Sequence, residues 1–466
     1  MALLTLSGVE TWNDVKFQSR SRQLDQFLRG DYSSIADELK KAFPHTTGLQ
    51  ERYVPLVSRY AHELSGLYAK PVIRRFQSFI EPTAVQAFIK MRECYGRSGF
   101  DRFMHNVHRK LLIQNTVVVG VLPGGRPGEV RLMCWNPYQV DWEMSRPMYT
   151  PDVQELDRVA LQMPIDVDDT GVIVFGQIVM TPDEIYLDRG GERVPIYGQT
   201  TTNPFDGMIP LVVIRGEDPA PGRFFAPVNE PLLNMAIALS INESDTELLV
   251  HTQAWGQRVI VGAQPAQQIE EIRVGPEKVL ALVSMDPQAP SPELKVIQGQ
   301  PPLSQISNWN ESRLRLLCSM FDLSPDAFLK VNTAVTASAR AYDQRDRDEA
   351  KARYEPVLNA AEQELARLIA RVLNLKDPLQ IPFDVRVNIT YPSYDPPVDP
   401  LHEAQALKEM IALGITSPVD VVANRDGITR RQAIDRIRAN LDETAALGLG
   451  PIADETETIA VNNDRR

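Results

Sequence analysis

The chain has 466 residues, a formal net charge of −12, 43% hydrophobic residues and 24% charged residues. At roughly 100–200 residues per domain this length implies two to four domains, and the balance excludes both a wholly disordered chain and an integral membrane protein. The acidic charge argues against a conventional duplex-gripping protein, whose affinity comes from Lys and Arg neutralising phosphates; it leaves open a protein that touches nucleic acid without holding it.

Residues 1–115 read mostly as helix. Over 54–67 the apolar positions Leu56, Val57, Tyr60, Leu64 and Leu67 form a one-sided stripe. Lys70-Pro71 then ends it, because proline disfavours the α region in the residue before it. Two further helices are predicted over 84–93 and 100–113. From Thr116 the period changes. The β-branched run 116–122, the turn-rich stretch 123–128 and the return 130–135 predict a hairpin. More strands follow at 158–163, 172–181, 184–188 and 211–215, about a hundred residues of meandering β structure.

Pro219-Ala220-Pro221-Gly222 marks a boundary. Beyond it, 229–255 is a long helix with Leu232, Met235, Ala236, Leu239, Leu249 and Val250 on one side and a polar, acidic middle over 242–247. Short strands at 259–261 and 278–283 flank a small helix at 266–272. Residues 303–321 form a second helix, with Ile306, Trp309, Leu314, Leu317 and Met320 as its apolar set. A non-periodic loop spans 322–338. The longest helix is predicted over 339–373, kinked at Pro356, whose ring removes an intrahelical hydrogen bond. Residues 383–391 alternate as a strand. Four prolines in 392–400 read as a stiff linker. A small helical unit then occupies 401–447, and the acidic last twenty residues are expected to be disordered.

Chemistry-bearing motifs are sparse. Cys94, Cys134 and Cys318 are widely spaced and lack a CxxC partner, so reduced thiols are expected rather than a disulfide framework or zinc knuckle. The opening residues have no basic n-region, and the apolar runs fall short of the ~20 residues that span a bilayer. A soluble, intracellular protein with no membrane partner is the expectation. Residues 166–171 imitate the first half of a calcium loop, but Gln177 stands where a bidentate Glu is needed, which favours a hairpin turn. His105 and His108 have metal-binding spacing without a paired Cys or acidic cluster. Phosphate-loop, dinucleotide and nucleophile-elbow signatures are missing. No catalytic residue, metal or cofactor is assigned, and an enzyme is not expected. The charge run 340–355 interleaves five basic and five acidic residues, a balance that suits salt-bridge networks within the helix or between subunits.

The order of the elements is more telling than any one of them. A long helix, an αβ insertion, a second helix, a small-residue loop and a very long helix form a spindle. Such a spindle needs neighbouring copies to bury its apolar stripes.

This arrangement resembles the portal proteins of tailed bacteriophages. The resemblance rests on 53–75 (YVPLVSRYAHELSGLYAKPVIRR), Gly207-Met208-Ile209-Pro210-Leu211, 229–247 (NEPLLNMAIALSINESDTE), 321–341 (FDLSPDAFLKVNTAVTASARA) and 414–441 (GITSPVDVVANRDGITRRQAIDRIRANL). It spans most of the chain, and its specificity comes from the set in this order. It implies an α+β fold: an N-terminal wing (1–228), stem helices (229–256 and 303–322), an αβ clip (257–302), a tunnel loop (323–338), a long kinked wing helix and strand (339–396), and a helical crown (397–447) before the tail (448–466).

The resemblance also implies a function. Twelve copies would form a ring at one capsid vertex of the virion, assembled in the host cytoplasm. Double-stranded DNA would pass through it without sequence specificity during packaging and ejection. Partners would be the terminase large subunit, head-completion or adaptor proteins, and the major capsid and scaffold proteins. Glu243, Asp245 and Glu247 would line the tunnel with Lys330, Asn332, Thr333 and Thr336. Val259, Val261, Val279 and Leu282 would build the inter-subunit clip sheet. Arg340, Asp343, Arg345, Arg347, Arg430 and Arg431 would make subunit contacts. Two other readings stay open: another ring or adaptor protein of a virion, and a cytosolic α+β enzyme.

Overall fold

The computed structural model describes residues 15–42, 51–81, 84–126, 128–144, 152–167, 171–220, 222–254, 257–261, 293–297, 303–321, 348–375, 381–392, 400–426 and 429–446. The fold is α+β, as expected: among the described residues every strand pairing is antiparallel, and the helices pack around the sheets rather than crossing between parallel strands. The chain divides into two compact units, residues 1–394 and 395–466.

The first unit opens with α1 (Val15–Arg29), α2 (Ser33–Ala42) and α3 (Leu56–Leu64), followed by strand β1 (Ile73–Gln77). Then come α4 (Val85–Ser98) and α5 (Phe100–Gln114), both longer or as long as the apolar period predicts. Gly99 joins them at φ 62°, and Asn115 ends α5 at φ 53°. Both are residues that tolerate the left-handed region. The Asn115 Nδ2 also donates to the Pro227 carbonyl at 2.9 Å, which fixes the turn into the first sheet.

That sheet runs in the order β3 (Val130–Trp135), β2 (Thr116–Pro123), β9 (Leu211–Arg215). The second is a five-stranded meander of β4 (Val140–Glu143), β5 (Arg158–Val167), β6 (Ile173–Met180), β7 (Ile185–Arg189) and β8 (Glu192–Pro195). Trp135 Nε1 donates to the Gln162 carbonyl at 2.8 Å, and Tyr197 Oη donates to the Val121 carbonyl, so the two sheets are tied by buried polar contacts. Asp166 and Val167 of the 166–171 motif end β5, opposite the start of β6, and residues 168–170 lie outside the described residues.

Two cores result. One surrounds the three-stranded sheet, where α8 (Glu355–Asn374) buries Leu358, Leu365, Ala366 and Ile369. The other joins α1, α2 and α3 to the start of α6 (Glu230–Ala254) and the end of α7 (Leu303–Met320). Helix α5 serves both: Met104, Val107 and Leu111 face the first, Leu112 and Ile113 the second. Fully burying each such side chain contributes about 1.5–3 kcal/mol.

Pro356 does not kink a helix. The helical residues 348–352 end in a turn at 353–354, and α8 begins anew at Glu355 with Pro356 in its first turn. There the missing N–H is one that no intrahelical carbonyl would accept, so proline starts the helix instead of bending it. Residues 339–347 lie outside the described set. Strand β12 (Arg386–Thr390) then pairs with β1, Ile73 opposite Thr390. The second unit contains α9 (Pro400–Ala412), α10 (Pro418–Asp426) and α11 (Arg430–Ala446), with Gly414 at φ 71° closing α9.

Candidate functional site

The region that the sequence singles out is the pair α6 and α7 with the insertion between them. Helix α6 is 25 residues long, about 37 Å at 1.5 Å per residue. Its first half is core. Asn229 caps it, accepting from Leu232 N at 3.2 Å through Oδ1, and Leu232, Leu233, Ala236 and Leu239 are buried. From Ile241 onward, Ser244 excepted, its described side chains are half-buried or exposed.

Two serines mark the change. Ser240 and Ser244 are fully buried, and their hydroxyls donate to the carbonyls one turn back, Ala236 and Ser240. The same oxygens accept from Val54 N at 3.1 Å and Arg52 N at 2.9 Å. The extended residues 52–54 are thereby docked along the helix. Nothing in the apolar period of 229–255 signals these serines; only their i,i+4 spacing hints at a shared face.

Helix α7 lies against α6. Asn242 Nδ2 donates to Asn310 Oδ1 at 3.2 Å, and Asn310 Nδ2 donates to Glu243 Oε1 at 3.4 Å. Leu317 and Cys318 join the core around Leu232 and Ala236, so the helices run antiparallel. The apolar set of α7 is split. Leu314 and Leu317 face inward, whereas Trp309, Leu316 and Met320 form an exposed stripe, with the Arg313 guanidinium 3.6 Å from the Trp309 ring centre.

The three acids of α6 do not share one row. At 100° per residue Asp245 stands roughly 160° around the helix from Glu243. Glu243 is exposed beside Asn310, and Glu247 pairs with Arg52 at 2.9 Å. Asp245, half-buried, is on the side turned away from residues 52–54.

Beyond α6, β10 (Gln257–Val261) pairs antiparallel with β11 (Glu293–Ile297), Val259 opposite Lys295 and Val261 opposite Glu293. The partner strand is 293–297, where Glu293-Leu294-Lys295-Val296 alternates, and the strand expected at 278–283 lies outside the described residues. Val279 and Leu282 lie outside the described residues, as do Lys330, Asn332, Thr333, Thr336, Arg340, Asp343, Arg345 and Arg347. In the second unit Arg430 and Arg431 are exposed, and Arg430 Nε lies 3.7 Å from Asp420 Oδ1.

A cavity of about 600 Å³ sits where α6 begins and α7 ends, lined by Tyr60, Asn115, Glu217, Asn229, Arg353 and Tyr354 among others. Burial raises the hydroxyl pKa of both Tyr60 and Tyr354. Neither is poised as an acid or base near neutrality.

His105 and His108 do not converge on a metal site. Among the described residues no group of three or more His, Cys, Asp or Glu could hold an ion. His108 is fully buried with both ring nitrogens unpartnered, beside the Tyr354 ring. Burial, then the His105 and Lys351 cations, push its pKa down to about 3. The three cysteines are free; Cys94 and Cys318 are buried. No helix among the described residues is long and apolar enough to cross a membrane.

No protein-family profile matches the chain, and no curated protein matches it. Solved structures similar to it include a chain in the virion of a native gene transfer agent particle, at 11% identity, covering 85% of this chain and 93% of that one, with a TM-score of 0.41. A second is in the neck of an empty gene transfer agent particle computed with C6 symmetry, at 11% identity, 81% and 90% coverage and a TM-score of 0.43. A third is in the neck of a native particle computed with C12 symmetry, at 11% identity, 82% and 89% coverage and a TM-score of 0.38.

Proposed function

We propose that the chain is a portal protein of a tailed-phage-type virion, a ring at one capsid vertex through which double-stranded DNA enters and leaves. The observation that carries this reading is the α6–α7 hairpin. One end is rooted in the core, the other bears the β10–β11 ribbon, and the outer face of α7 leaves Trp309, Leu316 and Met320 uncovered. A solvated helix face does not place a tryptophan, a leucine and a methionine in one row. Neighbouring copies side by side would cover it, and a head-to-tail contact that closes makes a ring.

In this reading α6 and α7 are the stem and β10–β11 belongs to the clip that meets terminase and later the head-completion proteins. The loop 323–338 is the tunnel loop, the first unit the wing and the second the crown. Asp245 is the α6 acid turned toward the channel, where a repeated negative ring repels phosphates and lets DNA slide. Lys330, with Asn332, Thr333 and Thr336, supplies exchangeable backbone contacts that carry no sequence information. Capsid and scaffold proteins meet the wing, and no cofactor takes part.

The test is the mass of the purified chain in solution together with a negative-stain image. Rings of about twelve copies with an axial hole are expected. A monomer or dimer at micromolar concentration under all ionic conditions would overturn the proposal, and rings without an axial channel would favour a different virion adaptor.

A further inference from the structure

The cavity where α6 begins and α7 ends is chemically one-sided. It measures about 600 Å³, inside the roughly 300–1,000 Å³ that small-molecule pockets span. Its floor, with Tyr60, Val228 and Asn229, is buried. Its wall is aromatic: the Phe321 ring centre lies 4.8 Å from that of Tyr60, and Tyr354 adds a third ring. Both tyrosines keep their protons at neutral pH, because burial raises the pKa of each hydroxyl and Glu217 adds to the rise. The rings therefore offer negative π faces and no formal charge. The same influence sets the Glu217 carboxylate within electrostatic reach of both tyrosines.

Two carboxylates, Glu217 and Glu230, line the cavity. Among the described residues neither makes an ion pair or a side-chain hydrogen bond, whereas Arg353, the one cation of the lining, is already engaged. The helix ends keep the balance acidic. Helix α6 starts here with Glu230 in its first turn, so that acid answers the positive end of the helix dipole. Helix α7 finishes here with no basic residue in its last turn, so its negative end stands unanswered by its own side chains. Glu217 and the last carbonyls of α7 are left to act together.

We infer that this cavity binds an aliphatic amine in its ammonium form. The ammonium N–H groups go to Glu217 and to the last-turn carbonyls of α7, which lack intrahelical donors. The aromatic faces attract the same charge, and the carbon chain lies against Leu64 and Val228. An anion would meet two carboxylates with only an engaged arginine in return. A neutral ligand would gain nothing from either acid. The bound amine touches α3, α6, α7 and the turn at 353–354, and so clamps the root of the α6–α7 hairpin. The inference goes beyond the portal reading and does not depend on assembly.

The experiment titrates cadaverine into the full chain, freed of nucleic acid, by calorimetry at neutral pH. Sodium chloride holds the ionic strength constant, and the thermal midpoint is followed in parallel. Saturable binding and a rising midpoint are expected, since a ligand held only by the folded state stabilises it. Glu217→Gln and Phe321→Leu should each weaken binding about fivefold, the weight of one carboxylate or one ring contact. Glu192→Gln, which changes an exposed acid on β8, should bind as wild type. The inference is overturned if no saturable binding appears, or if pentanol binds as tightly as the diamine. It is also overturned if the Glu217 and Phe321 variants bind as wild type. A loss in Glu192→Gln equal to that in Glu217→Gln would replace the site with a diffuse attraction to an acidic chain.

Discussion

Arg74 and Glu362 are 288 residues apart in sequence, and Arg74 Nε donates to Glu362 Oε2 at 2.6 Å. Glu362 is fully buried, and it also accepts from Arg74 Nη2 at 3.0 Å and from Tyr68 Oη at 2.7 Å. Asp101 takes the remaining arm of the guanidinium, and the ring of Phe100 lies 4.9 Å beneath it. The Arg74 guanidinium thus fastens β1 to the nearby α5 and to the distant α8.

Breaking that pair should be costly. Arg74→Met leaves a carboxylate buried without its partner, so unfolding by urea should show a loss of about 3–5 kcal/mol. Adding Glu362→Gln removes the stranded charge and should recover part of the loss. A single variant as stable as wild type would show that water reaches Glu362.

The buried histidine predicts a pH dependence. An unperturbed histidine titrates near 6.5, whereas folded His108 holds its pKa near 3. Below 6.5 the unfolded chain therefore binds a proton that the folded chain refuses. Stability is complete above pH 6.5 and falls toward pH 3, by up to about 1.4 kcal/mol per pH unit. His105, whose pKa burial also lowers, contributes in the same direction. Urea midpoints of wild type and His108→Leu, compared at pH 7 and pH 5, should show a clearly smaller fall for the variant.

The serines of α6 make a local prediction. Ser244→Ala leaves the Arg52 N–H without its acceptor, and Ser240→Ala does the same for Val54. Each should cost about 1–3 kcal/mol. Hydrogen exchange at those two amides should accelerate before the rest of α6 is affected; unchanged protection would mean that another acceptor takes over.

Gly120 marks a close approach in the first sheet. A Cβ placed there would stand 2.8 Å from the Trp135 ring. The neighbour is a ring that is itself buried and hydrogen-bonded to Gln162, so it has little room to give. Gly120→Ala should destabilise by about 1–3 kcal/mol, visible as a lower thermal midpoint with unchanged assembly.

Charge reversal tests the channel. Asp245→Lys should make rings retain DNA at low salt and release it as salt rises. Glu247→Lys sets a second cation beside Arg52, so its first effect should be on the docking of residues 52–54. Deleting residues 330–338 should leave rings intact and abolish DNA packaging. Normal packaging by that deletion would withdraw the tunnel-loop assignment.

Much of the fold is written in local pattern. The stripe of α3, the hairpin of β2 and β3, the length of α6 and the helical unit after the proline-rich linker all follow from period and turn chemistry. Where pattern failed, a competing local rule or a distant partner decided. Pro356 read as a kink inside one long helix, and the turn at 353–354 makes it a helix start instead. Strand β10 pairs with 293–297 because strand pairing is settled by which distant edge is available.

By itself the sequence determined the element types, the α6–insertion–α7 order and the excess of acid over base, since these depend on neighbours within a few residues. Only the tertiary structure decided which acids are spoken for. Glu247 is answered by Arg52, Glu362 by Arg74, and Asp245 stands on the other side of its helix. Charge in a sequence is a count, but its effect depends on distance and burial, which exist only once the chain has folded.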